Sequence, residues 1–466
     1  MVALLVSTTS AYAFGSIESG NCAETLADLV VKLENNYIGL RQLQLAGKSE
    51  GYEARKATFA GRADRADANA CTRVLQEFLS VFDDGHVFAF ERPEYVAEEL
   101  DAFGEEVRKG ALGIDELDQL LKTNRNPGGI VGRWGDGKSE IAIVGAGEEY
   151  RAYLLTSPNE ASEPGELKAV LTTTEDGFEG IYYSHGHAPR YVTAGLYKEG
   201  TLLSFGSAVL WAKLESSYAR EVRTIDAANP SRPTIERLDD ESILLSIPSF
   251  LVEFDEFQNF LSKHEKTLAR TRNLVVDIRG NTGGNAIYFP LLKLFADRSK
   301  PGSQGLVLAS KDNLAYFQSR AKGSRIYRQV VTDIENNMGA IVDGPAYPEK
   351  KLKRAKTDIV NVAILTDEGC MSAAESFVLH AKAVSDNVTT FGGPTAGVID
   401  YTSVNLLRLA SGTRNIIFGY PTSTLHKNIP EKGYNKTGIV PDVPIDRDVR
   451  DKVAFVLESI RPTNLP

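Results

Sequence analysis

The sequence lacks several features that would point to common classes of protein. No apolar run reaches the length of a transmembrane helix, and no internal repeat or low-complexity tract is evident. Neither the dinucleotide-binding spacing GxGxxG nor the lysine-containing P-loop is present. Basic residues are outnumbered by acidic ones, 52 to 62, and the net charge of −10 argues against nucleic acid or an anionic membrane as the main partner. The composition is that of an ordinary globular protein, and 466 residues are enough for two or three domains.

Cysteine is scarce, and the chain contains three: Cys22, Cys71 and Cys370. Export from the cytosol would permit a disulfide between Cys22 and Cys71, which fall in two predicted N-terminal helices. Cys370 would then be left as a free thiol.

The first residues have features of an export signal. Met1–Gly15 combines a short apolar core with Ala11-Tyr-Ala13, a small-x-small pattern typical of a cleavage site. We expect residues 1–13 to be a signal peptide and the protein to be periplasmic or secreted. The alternative is a plain apolar N-terminal strand.

An N-terminal helical domain is predicted over residues 14–127. Apolar side chains recur at helical spacing along Glu24–Leu40 and again along Asn69–Phe82. The second helix ends in an Asp-Asp-Gly sequence, in which Gly85 is placed as a helix stop. His86 follows this turn directly.

A β-domain is predicted over residues 128–225, followed by a proline-containing linker, Asp226–Thr234. Short apolar runs alternate there with Gly, Pro and charged turns, which is typical of an antiparallel sheet rolled into a barrel or sandwich. We expect Trp134 and Trp211 to pack inside it. Residues 235–466 alternate strands with helices and predict a layered α/β core.

Ser372 occupies a position that suits a nucleophile. The apolar run Val360–Leu365 predicts a buried strand, and apolar residues recur at helical spacing after Ser372. Ser372 therefore lies where a strand turns into a helix, at or near the N-cap. The first N–H groups of a helix lack partners, and that of Ala373 could bind the oxyanion formed when Ser372 attacks a carbonyl. Most serines at such positions only cap the helix.

A second strand-turn-helix stretch, Leu274–Phe295, strengthens the case for catalysis. Its turn contains Gly283 and Gly284, which let the backbone approach a ligand closely and permit positive φ. An N–H group of one of these glycines could be the second oxyanion donor.

Four motifs make the sequence resemble the tail-specific, or C-terminal processing, serine protease family. A strand ends in D-x-R-x-N-x-G-G from Asp277 to Gly284, and the nucleophile helix starts with S-A-x-E at Ser372. A T-x-G turn follows at Thr395, and G-I-V-P-D-V begins at Gly438. The resemblance covers about half of the chain. It implies a crotonase- and ClpP-like core and a peptidase that acts on proteins or peptides without a metal or organic cofactor. Many members carry a PDZ module before the core, and none is recognisable here.

The resemblance places His86 as the general base. The family branch that includes the tricorn core and retinoid-binding homologues carries a histidine in a D-x-H or S-H turn, which Asp83-Asp84-Gly85-His86 resembles. The main branch uses a lysine just after the T-x-G turn, but Val398-Ile399-Asp400 contains none. Near neutral pH an imidazole can accept the serine proton.

The other histidines are weaker candidates. His426, in a loop near the closing motif, is the main competitor. His380 falls two turns down the nucleophile helix, and His264 falls on the apolar face of a helix predicted over Val252–Leu268. His185 and His187 fall in a polar turn that has no third metal ligand.

The third catalytic position is open. Histidine-using relatives place an acidic residue three positions before the closing glycine, and Asn435 stands there. Asparagine can still orient an imidazole, as in papain-like enzymes, and the nearby Glu431 is a second candidate.

Three alternatives to a serine peptidase are considered. A non-catalytic binding protein on the same fold would carry an apolar ligand or peptide, as the retinoid-binding relatives do. A crotonase-type acyl-CoA enzyme would need no serine nucleophile. A cysteine protease would use Cys370, which lies in the turn before the family's nucleophile position. The favoured partner is a protein or peptide substrate; a homo-oligomer is allowed, and no nucleic acid or integral membrane segment is expected.

Overall fold

The computed structural model describes residues 21–460 except positions 67, 93–96, 124–128, 137–138, 147–148, 158–161, 175–176, 185, 198–199, 206–209, 215–231, 412–414, 436, 447–448 and 450. The predicted signal peptide, His185 and most of the predicted linker lie outside the described residues. Within the described part of the chain, no helix is both long and apolar enough to cross a bilayer.

The first elements are helices. They are α1 (Cys22–Asn36), α2 (Ile38–Leu45), α3 (Glu50–Ala63), α4 (Ala68–Leu79) and a 3-10 turn at Ser80–Phe82. Cys22 and Cys71 form a disulfide that joins α1 to α4 across a Cα–Cα distance of 5.5 Å. The helix predicted over Glu24–Leu40 is divided in two, because the backbone of Tyr37 is extended (φ −84°, ψ 112°).

The chain leaves this helical segment at Asp83 and not at Gly85. Asp83 adopts the left-handed conformation (φ 49°), which a short polar side chain tolerates better than most. Gly85 is required for a different reason, since a Cβ there would lie 2.8 Å from Cγ2 of Val398.

A closed antiparallel barrel follows one strand and two helices. These are β1 (Phe88–Glu91), α5 (Ala97–Lys109) and α6 (Ile114–Thr123). The barrel strands are β2 (Gly132–Gly135), β3 (Glu140–Ala146), β4 (Glu149–Thr156), β5 (Leu167–Thr174), β6 (Gly177–Tyr183), β7 (Pro189–Tyr197), β8 (Leu202–Ser204) and β9 (Leu210–Lys213). Of the predicted barrel or sandwich, the structure has the closed barrel, and Trp134 and Trp211 are buried in its core.

The remaining elements form the α/β part of the chain. Its strands are β10 (Thr234–Arg237), β11 (Ser242–Ser246), β12 (Asn273–Asp277), β13 (Ser303–Leu308), β14 (Ile341–Tyr347), β15 (Asn361–Thr366), β16 (Val388–Gly392), β17 (Tyr401–Arg408), β18 (Ile416–Thr424) and β19 (Val443–Pro444). Its helices are α7 (Phe254–Lys263), α8 (Glu265–Arg270), α9 (Phe289–Leu292), α10 (Lys311–Ala321), α11 (Arg325–Asn336), α12 (Ala373–Val384) and α13 (Lys452–Ile460). The predicted helix over Val252–Leu268 is interrupted at His264, which separates α7 from α8.

Two sheets organise these elements. One has the order β10-β11-β12-β15-β16-β19, with parallel pairing from β11 onward. Its side chains alternate between two clusters: Leu274 and Val276 pack towards α7, α9 and α12, whereas Val275 packs towards α13. The second sheet joins β1, β18, β13 and β14, with β17 on β18. The N-terminal helices share a hydrophobic cluster with this second sheet, which includes Phe418 and Tyr420 of β18.

This topology brings two turns together. β12 and β15 are neighbouring parallel strands, with Asp277 opposite Leu365 near their carboxyl ends. The chain after β12 enters the glycine turn, and the chain after β15 leads to Ser372. Both turns therefore emerge at the same edge of the sheet, where open α/β sheets commonly bind ligands.

Candidate active site

Ser372 is the N-cap of α12 and has a backbone conformation that is rare for a residue with a side chain (φ 54°, ψ −110°). Strain of this kind persists only where the surrounding structure imposes it. The Ser372 N–H donates to the carbonyl of Val398 (3.1 Å) and to Oε2 of Glu375 (2.9 Å). The N–H of Ala373, the first helical residue, has no hydrogen-bond partner among the described residues.

Glu375 holds the start of α12 against the turn that follows β16. Its buried carboxylate accepts four hydrogen bonds, from the N–H groups of Ser372, Val398 (2.9 Å) and Gly397 (2.8 Å) and from the hydroxyl of Thr395 (2.6 Å). Burial raises the pKa of the Glu375 carboxyl, and these hydrogen bonds oppose the rise because they favour the charged form. The S-A-x-E and T-x-G motifs are thus joined by one side chain, to which sequence reasoning assigned no role.

The glycine turn lies directly against Ser372. A Cβ added to Gly283 would be 3.0 Å from the Cβ of Ser372 and 3.1 Å from the backbone nitrogen of Ala373. The Gly283 N–H already donates to Oδ1 of Asn281 (2.9 Å). The N–H of Gly284 has no partner in the described part of the chain. Of the two predicted glycines, Gly284 therefore has the available donor.

The other residues of the D-x-R-x-N-x-G-G motif fix the geometry of this turn. Arg279 and Asp277 form a buried pair with N–O distances of 2.9 and 3.0 Å. The Asn281 side-chain amide donates to the carbonyl of Ile247 (2.8 Å), and the backbone carbonyl of Asn281 accepts the N–H of Met371 (3.0 Å). Asn281 thereby connects the glycine turn to the residue before Ser372.

His86 is oriented by a backbone carbonyl. Its ring Nδ1 lies 2.7 Å from the carbonyl oxygen of Tyr401, the first residue of β17. Because a carbonyl oxygen only accepts, Nδ1 carries the hydrogen, and Nε2 of the neutral ring keeps its lone pair. This tautomer is the one that a base acting through Nε2 requires. The side chain is 12% exposed.

Asp84, which sequence reasoning did not single out, lies beside His86. Its side chain is fully buried, and Oδ1 is 4.0 Å from Nδ1 of His86. Oδ1 accepts the backbone N–H of His86 (2.9 Å), and Oδ2 accepts the hydroxyl of Tyr37 (2.9 Å). The signal available in the sequence was its spacing, two residues before the candidate base.

Val398 connects the surroundings of His86 and Ser372. Its carbonyl accepts the Ser372 N–H, and its side chain packs against Gly85, the neighbour of His86. Two parts of the chain that are distant in sequence therefore meet at one residue.

The two candidates for the third position have different surroundings. The Asn435 N–H donates to Asp400 (2.9 Å), and its Oδ1 is buried without a hydrogen-bond partner among the described residues. Glu431 is exposed. Within the described residues, neither forms a hydrogen bond with His86.

The competing residues are engaged in other contacts. His380 bonds to the hydroxyl of Tyr288 (3.0 Å), and burial lowers its pKa to about 4. Nδ1 of His426 accepts the N–H of Asn428 (3.2 Å) in the loop after β18. The buried Cys370 thiol donates to a backbone carbonyl, and burial raises its pKa well above the ordinary value, which disfavours a thiolate nucleophile.

A cavity of about 430 Å³ lies where the barrel meets the α/β core. Its walls include Tyr197 from the end of β7 and Asp367 and Glu368 from the turn after β15. A Cβ on Gly369 would be 2.5 Å from the Tyr197 ring, so the barrel contacts the turn that precedes Ser372. Among the described residues, no three histidine, cysteine or acidic side chains are grouped to hold a metal ion.

Comparison with known proteins bears on this arrangement. Residues 243–445 match the model of peptidase family S41. No curated protein sequence matches the chain. Distantly similar solved structures include mature CPAF complexed with lactacystin, which is 13% identical with a TM-score of 0.49 over 94% of this chain and 97% of that one.

Two further solved structures have lower TM-scores. A lipoprotein from Streptococcus agalactiae is 14% identical, with a TM-score of 0.38 over 95% of this chain and 99% of that one. The photosystem II D1 C-terminal processing protease is 14% identical, with a TM-score of 0.37 over 92% of this chain and 94% of that one.

The matched range contains both turns and the nucleophile helix described above. The α/β core therefore belongs to peptidase family S41. This match over residues 243–445 supports the serine-type peptidase of the tail-specific protease family that the four motifs predict.

Proposed function

We propose that the protein cleaves peptide bonds with Ser372 as nucleophile and His86 as general base. Nε2 of His86 takes the serine proton as Oγ attacks the scissile carbonyl, and returns it to the leaving amine as the C–N bond breaks. The N–H groups of Ala373 and Gly284 hold the oxyanion. Water, activated by the same base, then hydrolyses the acyl-enzyme.

The observation that carries this proposal is the arrangement around the start of α12. Ser372 has a left-handed φ, and the N–H groups of Ala373 and Gly284 have no partner within the described part of the chain. Gly283, between these groups, leaves no room for a side chain. Such donors are typically worth a hundredfold or more in rate each.

The base assignment rests on His86. Its Nδ1–H is held by the Tyr401 carbonyl, which leaves Nε2 as the acceptor. Val398 contacts both Gly85 and Ser372, which supports proximity of the two side chains. For the third position we favour Asn435 over Glu431, because the Asn435 Oδ1 is buried and lacks a partner among the described residues, whereas Glu431 is exposed.

The setting proposed for this activity is outside the cytosol. The Cys22–Cys71 disulfide supports a periplasmic or secreted protein, since such bonds persist in oxidising compartments. The substrate is a protein or peptide. Parallel strands covered by helices on both faces support a core of the crotonase- and ClpP-like kind.

Labelling by a fluorophosphonate probe tests the proposal. We expect the probe to label the wild-type protein at Ser372, as located by mass spectrometry of the labelled peptide. It should label neither Ser372→Ala nor His86→Ala. Ser459→Ala is the matched control, because this exposed serine lies in α13 and its hydroxyl donates to the carbonyl of Phe455 in the same helix (2.8 Å).

Other outcomes have defined meanings. Labelling that survives in His86→Ala but not in His426→Ala would transfer the base role to His426. No labelling of the wild type, together with no cleavage of any member of a peptide library, would favour the binding-protein alternative, which binding of an apolar fluorescent ligand would then support.

A further inference from the structure

We propose that Asp84 is the anion that stabilises the protonated form of His86, a role separate from the third position for which Asn435 is favoured over Glu431. The inference rests on the proposed function of His86 as general base. The position of Asp84 in the D-x-H turn does not by itself indicate this function.

The geometry places a buried anion next to the base. Asp84 Oδ1 lies 4.0 Å from Nδ1 of His86 and also accepts the backbone N–H of His86 at 2.9 Å. Oδ2 accepts the Tyr37 hydroxyl at 2.9 Å, so both carboxylate oxygens are engaged and the side chain has one orientation. Its exposed fraction is zero.

Several titratable groups of the described residues face this carboxylate. They are Tyr37, His86, Tyr401 and Asp400. The Asp400 carboxylate is engaged by two backbone N–H groups of the loop before the closing motif, whereas Asp84 lies within 4 Å of the imidazole. Burial raises the pKa of the Asp84 carboxyl, and the nearby imidazole opposes the rise. A buried carboxylate retained beside an imidazole is expected where the imidazole must become charged.

The chemical role follows from the change of charge at His86. When Nε2 takes the serine proton, the ring becomes a cation while Nδ1–H stays on the neutral Tyr401 carbonyl. A carbonyl orients the ring but does not balance its charge. An anion 4 Å away in a low-dielectric site stabilises the imidazolium much more strongly than it would in water. Tyr401 thus sets the tautomer, and Asp84 stabilises the protonated state.

Asp84→Asn is the most direct test, because the amide oxygen can still accept the His86 N–H while the charge is lost. We measure the rate of fluorophosphonate labelling of Ser372 against pH. The plateau rate should fall by about a hundredfold or more, because a charge 4 Å from the imidazolium is lost. The acid limb of the profile should move to lower pH for the same reason. Asp83→Asn is the control: it removes an exposed charge next door and suits the left-handed backbone there, so its profile should match the wild type.

Tyr37→Phe is the control for a folding defect in Asp84→Asn. It removes one hydrogen bond to the carboxylate but keeps the charge and the buried ring. Its plateau should fall less than tenfold, and its acid limb should not move to lower pH. A folded Asp84→Asn protein with the plateau and acid limb of the wild type would overturn the proposal, as would a shift to lower pH in Tyr37→Phe equal to that of Asp84→Asn. Absence of labelling in the wild type would instead overturn the base role of His86, and this inference with it.

Discussion

The carboxylate of Glu375 accepts a hydrogen bond of 2.9 Å from the backbone N–H of Ser372, three residues before it in the sequence. The same carboxylate bonds to the hydroxyl of Thr395 and to the N–H groups of Gly397 and Val398. One buried anion therefore fixes the backbone of the candidate nucleophile relative to the turn that also contacts Gly85.

Glu375→Gln should lose both stability and labelling. The amide would present an NH₂ group to at least one pair of donors that now bond to a carboxylate oxygen, leaving buried N–H groups unsatisfied. We expect a loss of about 3 kcal/mol in the free energy of unfolding, and at least a tenfold slower labelling of Ser372. Denaturant unfolding and probe kinetics measure the two effects. Glu458→Gln on the exposed face of α13 is the control, and equal behaviour of the two variants would contradict the prediction.

The local elements around the site were predictable because their signals are local. The strands β12 and β15 are continuous apolar runs, and the polar turn before an apolar helical repeat places Ser372 at the N-cap of α12. The barrel was predictable from its regularly spaced apolar runs. Only β2 gave no signal, since Gly132–Gly135 has a glycine at each end and no alternation.

The contacts that select among candidate residues were not predictable, because they depend on tertiary structure. The choice between Gly283 and Gly284 depends on which N–H is taken by Asn281. The relation of Asp84 to His86 depends on burial of the turn between α4 and β1, and on the carbonyl of Tyr401 from a distant strand. Residue spacing alone contains neither fact.

The Cys22–Cys71 disulfide should stabilise the helical segment that leads to His86. It closes a loop between residues 49 apart in sequence, for which chain-entropy arguments give about 4 kcal/mol. We expect the double variant Cys22→Ser/Cys71→Ser to lose about 3 kcal/mol in the free energy of unfolding, measured by denaturant titration.

Reductant provides the control for this prediction. It should destabilise the wild type towards the level of the double variant and leave the double variant unchanged, because Cys370 is buried and unpaired. The prediction would be contradicted if complete reduction of the wild type, verified by counting thiols, left its free energy of unfolding unchanged.

His380 should make the protein less stable as the pH falls from about 6.5 to about 4. Burial lowers the pKa of His380 from its ordinary 6.5 to about 4, so the unfolded chain binds this proton before the folded protein does. The resulting loss is roughly 2–3 kcal/mol at the acid end of the range. His380→Gln, which can still accept the Tyr288 hydroxyl, should lack this component.

The measurement is the free energy of unfolding against pH for both proteins. The difference between the two curves isolates His380, because buried acids such as Glu375 and Asp84 titrate in both. His426→Gln, at a partly exposed position, is the control and should keep the wild-type slope. An unchanged slope in His380→Gln would contradict the assignment.

Gly283→Ala tests the proposed oxyanion site, and the chain offers a matched control for it. A Cβ at Gly283 would lie 2.8 Å from the carbonyl of Met371, 3.0 Å from the Cβ of Ser372 and 3.1 Å from the nitrogen of Ala373, at a φ of 98°. Gly323 has a similar φ of 90° but no atom within 4 Å of its added Cβ. Both substitutions should cost about 1 kcal/mol of backbone strain. Only Gly283→Ala should also block the space beside the Ala373 N–H.

We therefore expect Gly283→Ala to lose more stability than Gly323→Ala, because its Cβ also meets backbone at 2.8 Å. In protein that is still folded, labelling of Ser372 should fall by a hundredfold or more in Gly283→Ala alone, the scale of losing one oxyanion donor. Thermal unfolding and labelling rates, measured on the same preparations, separate strain from chemistry. If Gly283→Ala is labelled as fast as Gly323→Ala, the oxyanion does not form in the space next to Gly283. The N–H groups of Ala373 and Gly284 would then not be its donors.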